Sequence, residues 1–184
     1  QSLNWRRESD ASAQASLSHD SVIFESGDYR LTLLDDITLT KLMVRDGAKL
    51  SLANDAGYAF STEQISVENG GYLRVTDSGM GAAAMSISGG GVVEAEGAAI
   101  LKSGISLSDG GVLRFTGTAT DTIDFNSPDS ITVSDAVVDF GTTRQTLGGW
   151  SIALSDGARL IGSGSTDSGK SALDYHENGT ISVT

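Results

Sequence analysis

One phrase, repeated, decides what this chain can fold into. Its clearest copy is Ile105-Ser106-Leu107-Ser108-Asp109-Gly110-Gly111-Val112-Leu113-Arg114-Phe115. Apolar and polar residues alternate on both sides of a polar turn, with Ile105 and Leu107 before it and Leu113 and Phe115 after it. Alternation of period two marks a half-buried strand. The phrase returns at Leu42–Leu52, Ile65–Val75, Met85–Ala95 and Ile152–Gly162, and one residue shorter at Ile131–Phe140. Ile181-Ser182-Val183-Thr184 opens a further copy. The copies begin at residues 42, 65, 85, 105, 131, 152 and 181, so the period runs from 20 to 29 residues.

A period of that size signals a solenoid. Helical repeats are excluded, because the apolar residues recur at two and not at three and four. No asparagine-bearing leucine-rich consensus is visible. What remains is all-β: a single-stranded right-handed parallel β-helix of about seven coils, each interval one coil. Coils spaced at the ordinary strand separation of about 4.8 Å make a column of about 30 Å. Residues 1–20 read as a polar N-terminal cap segment, loosely ordered, with Trp5 docking on the first coil, and residues 21–184 as the β-helix domain. Ser21–Phe24 and Tyr29–Leu34 are strands. Ile65, Val67, Leu73 and Val75 point inward, and Ser66, Glu68 and Arg74 face water. Glycines at 70–71, 89–91 and 110–111 let the backbone turn its corners without a Cβ clash. The long intervals Phe115–Ile131 and Gly162–Ile181 bulge as loops. Turn spacing alone also permits a sandwich or jelly roll.

Composition narrows the functional classes. The 184 residues hold 24 acidic and 12 basic side chains, a formal net charge of -12. Such a surface repels phosphate backbones and anionic lipid, so neither nucleic acid nor a membrane surface is an expected partner. No apolar run reaches the roughly 18 residues of a membrane span. Cysteine is absent, which removes disulfides, thiolate nucleophiles and Cys-type zinc sites. The chain opens without a charged-then-apolar leader, so an exported form would begin at Gln1 after leader removal.

The opening Asn4-Trp5, then Asp20-Ser21-Val22-Ile23-Phe24, Leu31-Thr32-Leu33, Asp36-Ile37-Thr38-Leu39 and Leu42-Met43-Val44 before Asp46-Gly47-Ala48, resembles an autotransporter-associated β-strand repeat. The resemblance spans Asn4 to about Gly162, on degenerate motifs. It implies a passenger-type β-helix, export, and a bacterial outer surface or secreted location, as in the large secreted proteins of mucin-dwelling gut bacteria. It transfers no catalytic residue, and the family's translocator barrel has no counterpart in this sequence.

Few residues suggest chemistry. Asp77-Ser78-Gly79 and Asp167-Ser168-Gly169 resemble the Asp-Ser/Thr-Gly signature of aspartic proteases, whose two carboxylates share a proton. Their flanks depart from it: Thr76 and Thr166 precede, Met80 and Lys170 follow. Asp, Ser and Gly are also ordinary turn residues. Asp35-Asp36 is a further acidic pair, whose side chains diverge if extended. The two histidines, His19 and His176, lie near opposite ends, which speaks against a Ser-His-Asp triad. Tyr175, His176 and Trp150 are candidate ligand-binding residues, with Tyr175 and His176 in a dense polar stretch that also reads as a turn. No calcium nonapeptide repeat occurs, and no cofactor or dedicated metal site is expected.

The expectation is a non-catalytic surface or secreted module for adhesion, scaffolding or binding of a host glycoprotein, mucin or glycan, able to self-associate end to end through unpaired strand edges. The alternatives are a secreted aspartic-type protease acting on mucin through Asp77 with Asp167, or Asp35 with Asp36, and a glycan-active β-helix hydrolase.

Overall fold

The structure, a computed structural model, describes residues 3–7, 14–15, 21–33, 35–53, 58–76, 79–96, 100–116, 130–141, 145–148, 151–162, 173–176 and 180–184. Strands β1 (Leu3–Arg7) and β2 (Gln14–Ala15) come first, then β3 (Ser21–Glu25), β4 (Asp28–Thr32), β5 (Ile37–Arg45), β6 (Lys49–Ala53) and β7 (Phe60–Val67). The middle holds β8 (Tyr72–Thr76), β9 (Gly79–Ile87), β10 (Val92–Glu96), β11 (Ile100–Leu107) and β12 (Val112–Thr116). The last are β13 (Ser130–Ser134), β14 (Val137–Asp139), β15 (Gln145–Gly148), β16 (Ser151–Ser155), β17 (Arg159–Ile161), β18 (Leu173–His176) and β19 (Thr180–Val183).

The first arm of each phrase enters an eight-stranded sheet, in the order β3-β5-β7-β9-β11-β13-β16-β19. The second arm enters a nine-stranded sheet, β2-β1-β4-β6-β8-β10-β12-β14-β17. Successive copies pair in parallel and in register, as Leu42 with Ile65, Ile65 with Met85, and Ile105 with Ile131. The chain is thus a parallel β-solenoid, and the antiparallel sandwich and jelly roll are excluded. Only β1 runs antiparallel, to β4 and to β2, among the described strands. The N-terminal segment is therefore partly strand, with Trp5 opposite Leu31 and β1 second from the edge of the second sheet.

Like residues stack on like. Leu42, Ile65, Met85, Ile105, Ile131 and Ile152 form one buried ladder, and Leu50, Leu73, Val93, Leu113 and Val138 another. A third ladder, Leu52-Val75-Ala95-Phe115, ends on Phe140, whose ring stacks on Phe115 at 5.4 Å. A one-residue slip would turn every one of these side chains outward, which is why the register holds. Both arms are fully buried in the five copies starting at 42, 65, 85, 105 and 131. The column therefore amounts to about five turns, fewer than the seven counted from phrase starts. At the copy starting at 152 only Ile152 is buried, and the one starting at 181 contributes a single exposed strand.

The corner between the arms is a type I′ turn, which needs φ > 0 at both central residues. Asp46-Gly47 (φ 54 and 77), Asn69-Gly70 (50 and 73) and Asp109-Gly110 (48 and 73) supply it. Ala48, Gly71 and Gly111 N–H close these turns onto the carbonyls of Arg45, Glu68 and Ser108 at 2.9–3.0 Å. The turns also bind one another: Gly70 N–H donates to Gly89, Gly90 to Asp109 and Gly110 to Asp135, at 2.7–3.0 Å. Gly71, Gly91 and Gly111 avoid a Cβ clash at the corner, as expected, and the clash is with the preceding coil. A Cβ there would lie 2.3–2.4 Å from the carbonyl oxygen of Val44, Val67 or Ile87 in the preceding coil. They are glycine for close approach, not for an unusual φ.

β5 bends within its length. Its buried residues are Ile37, Leu39, Leu42 and Val44, spaced two, three, two, so the strand leaves one face and joins another. β7 repeats the spacing with Phe60, Thr62, Ile65 and Val67. Two expectations need correction. Ser66 does not face water: it is 6% exposed and its hydroxyl lies 3.3 Å from that of Ser86. The interval after Gly162 is not all loop, since β18 pairs in parallel with β15. The Phe115–Ile131 interval lies, from 117 to 129, outside the described residues.

Candidate functional site

Since the inward ladders are taken by packing, any recognition surface is built from the outward residues. On the second-arm sheet, register places Arg30, Ser51, Arg74, Glu94, Arg114 and Asp139 side by side in one cross-strand row. A flanking row holds Asp28, Lys49, Tyr72 and Val92, and another Thr32, Ala53, Thr76 and Glu96.

From Arg74 onward the central row alternates in charge and is tied up internally. Arg74 meets Glu96 at 2.5 Å and Glu94 at 3.6 Å, and Arg114 meets Asp139 at 3.4 Å. Thr76 donates to Glu96 at 3.1 Å. The Tyr72 hydroxyl donates to Glu94; burial first, and this bond second, hold its phenol above the usual value. Glu96 likewise holds the Arg74 guanidinium above its usual value. Arg74 Nε is buried, with no hydrogen-bond partner within reach.

Before Arg74 the row is open. Ser51 and Ala53 are small and sit between longer side chains on β4 and β8, two strand spacings or roughly 9.6 Å apart. The result is a groove of about 520 Å³, with Ser51 and Ala53 as its floor. Asp28, Tyr29 and Arg30 form one wall, and Tyr72, Arg74, Thr76 and Glu96 the other, with Lys49 beside the floor. Arg30 makes no ion pair among the described residues. Lys49 reaches Asp28 only at 4.0 Å, with both side chains more than half exposed. Such a contact is worth little. The groove thus combines two weakly engaged cations, Arg30 and Lys49, with the Asp28 carboxylate, two tyrosines and the hydroxyls of Ser51 and Thr76. A guanidinium fork suits carboxylate or sulfate oxygens, and an aromatic face suits an apolar ring surface.

The residues singled out from sequence lie elsewhere. Asp35 and Asp36 precede β5, and both are exposed. Asp36 Oδ1 accepts the Ala59 N–H of the next coil at 2.8 Å, and Asp35 Oδ1 accepts the Asp36 N–H at 2.9 Å. Both carboxylates thus hold backbone. Asp77, Asp167 and Trp150 fall outside the described residues. Tyr175 and His176 are in β18, opposite Leu147 and Gly148, away from the groove-forming strands. Among the described residues, no three His, Asp or Glu side chains gather as a cation site.

Sequence reasoning missed the groove. Its signal was a pair of small residues, Ser51 and Ala53, at outward positions where the next copy carries Arg74 and Thr76. Reading it also required treating Asp28–Thr32 as a register partner of Lys49–Ala53.

Compared with protein-family profiles, curated proteins and solved structures, the chain matches none of them.

Proposed function

We propose that this chain is a non-catalytic secreted or cell-surface β-solenoid module that binds glycan, such as the acidic chains of a host mucin, for adhesion. The observation carrying this reading is the groove over Ser51, where Arg30 makes no ion pair among the described residues, Lys49 makes only a weak one, and Tyr72 lines the wall. Of the two carboxylates in its lining, Glu96 is committed to Arg74 and Thr76, while Asp28 sits beside Lys49 at 4.0 Å. The resemblance to autotransporter passenger repeats supports an extracellular, bacterial setting.

The net charge of -12 opposes an anionic ligand at long range. That repulsion is screened beyond about 8 Å at physiological salt, while contacts inside the groove are not. Binding should therefore be weak at very low salt and survive moderate salt.

The test is a glycan array followed by calorimetry, with sialylated, sulfated and neutral mucin-type chains. Arg30→Ala and Lys49→Ala should each weaken an acidic chain by about tenfold, the effect of losing one charge-assisted contact. Binding that is equal in both variants removes the groove from the reading. Release of shortened glycan or peptide from mucin, seen by mass spectrometry, replaces the binding module with a hydrolase.

A further inference from the structure

We infer, on the glycan-binding reading of the groove over Ser51, that Glu96 limits the groove to chains with one anionic group by standing where a second would sit. The lining carries three cations, Arg30, Lys49 and Arg74, against two carboxylates, Asp28 and Glu96. Register sets Arg30 and Arg74 in one row with Ser51 between them, two strand spacings or roughly 9.6 Å apart. Two arginines on either side of a small floor would hold a chain bearing two anionic groups, were both of them open.

Only Arg30 is open. Arg74 Nη2 donates to Glu96 Oε2 at 2.5 Å, and Thr76 Oγ1 donates to the same oxygen at 3.1 Å. A sulfate or carboxylate of a ligand would call on the same kind of donors, a guanidinium N–H and a hydroxyl. Glu96 therefore fills the second anion position from within the chain. A ligand anion brought there meets a like charge well inside the distance of about 8 Å over which physiological salt screens.

The charge of Glu96 is separable from the fold. Glu94 also reaches Arg74, at 3.6 Å from Nε, and its side chain is only 16% exposed, against 34% for Glu96. Glu96 lines the groove and Glu94 does not. With Glu96 neutralised, Arg74 keeps Glu94, so no cation is left stranded. Glutamine preserves the shape of the side chain and an oxygen to accept the Thr76 hydroxyl. Glu96→Gln thus vacates the second anion position electrically, leaving three cations in the lining against Asp28 alone.

Calorimetry with sialyl-N-acetyllactosamine, with and without a sulfate on its N-acetylglucosamine, tests this, since the two probes differ only in the second anion. Wild type should bind the sulfated chain no more tightly than the other. Glu96→Gln should tighten the sulfated chain by about tenfold, the gain of one charge-assisted contact, and move the unsulfated one little. Glu96→Ala should do the same, and Arg74→Ala added to either should cancel the gain, with circular dichroism checking that the sheet is intact. The readout is the ratio of the two affinities, which a general loosening of the sheet would not move. A ratio equal in wild type and in both Glu96 variants overturns the inference, while an Arg30→Ala chain that weakens both probes still keeps the groove. So does a wild type that already prefers the sulfated chain tenfold. If Arg30→Ala weakens neither probe, the groove reading fails and the selectivity of Glu96 falls with it.

Discussion

Gly91→Ala separates two physical effects of opposite sign. Gly91 has an ordinary φ, so alanine should in principle stabilise by about 0.4–1 kcal/mol through a less flexible unfolded chain. The coil below decides otherwise. The added Cβ would meet Val67 O at 2.3 Å and Val67 C at 2.7 Å, under the 3.0 Å that real Cβ atoms respect. Both atoms are backbone, so no side chain can swing away. The same carbonyl accepts the Ser88 N–H at 3.0 Å, and pushing it off stretches that bond. Overpacking costs about 1–3 kcal/mol and a weakened hydrogen bond up to about 1 more. Net destabilisation is then about 2 kcal/mol. In urea, with a slope of about 1–3 kcal/mol per molar, the midpoint should fall by about 1 M at unchanged slope. Ala48 occupies the same turn position in an earlier copy, fully buried, and serves as the control. Ala48→Gly should lose about 0.5–1 kcal/mol, so both exchanges destabilise. A Gly91→Ala midpoint equal to or above wild type would refute the claim that the coils touch at this corner.

Two further outcomes follow from the same structure. Phe115→Ala should cost about 3–5 kcal/mol in a urea melt, because Phe115 is 1% exposed and stacked on Phe140, with only Ala95 beneath to fill the cavity. The Tyr72 phenol, held above its usual value by burial and by Glu94, should ionise later than a free tyrosine in an ultraviolet titration. The folded state then keeps its proton where the unfolded state loses it. Its contribution to stability is full below the unfolded value near 10 and is lost as pH rises through the folded one. Glu94→Gln should reduce the upward shift without abolishing it, since burial is the larger cause.

The ladders were legible because they rest on local alternation: Ile65, Val67, Leu73 and Val75 are all fully buried, as their spacing demanded. The coil count was less so, because a phrase start does not say whether a further coil covers it, and Ile181 is left exposed. Ser66 reads as outward by parity and does lie on the outer face, yet Ser86 and Glu68 shield it. Parity gives the face of a sheet and not its exposure. The glycines were read correctly as corner residues that avoid a Cβ clash, but not position by position. Gly70 and Gly71 look like one flexible pair, but the first needs its left-handed φ and the second its missing Cβ. That difference depends on where the Val44 carbonyl sits, 27 residues earlier.

The groove escaped notice for a reason built into solenoids. Inward residues answer to neighbours in both coils, so their pattern repeats and can be read. Outward residues answer only to water and to one another, and their meaning lies in the register between copies. Arg74 is bound because the next coil offers Glu94 and Glu96, whereas Arg30 is open because the next coil offers Ser51 and Ala53. The same cation at the same column is thus structural in one coil and available in another. On the function proposed above, a break in the outward ladder such as the one at Ser51 is where a ligand would meet cations weakly engaged among the described residues.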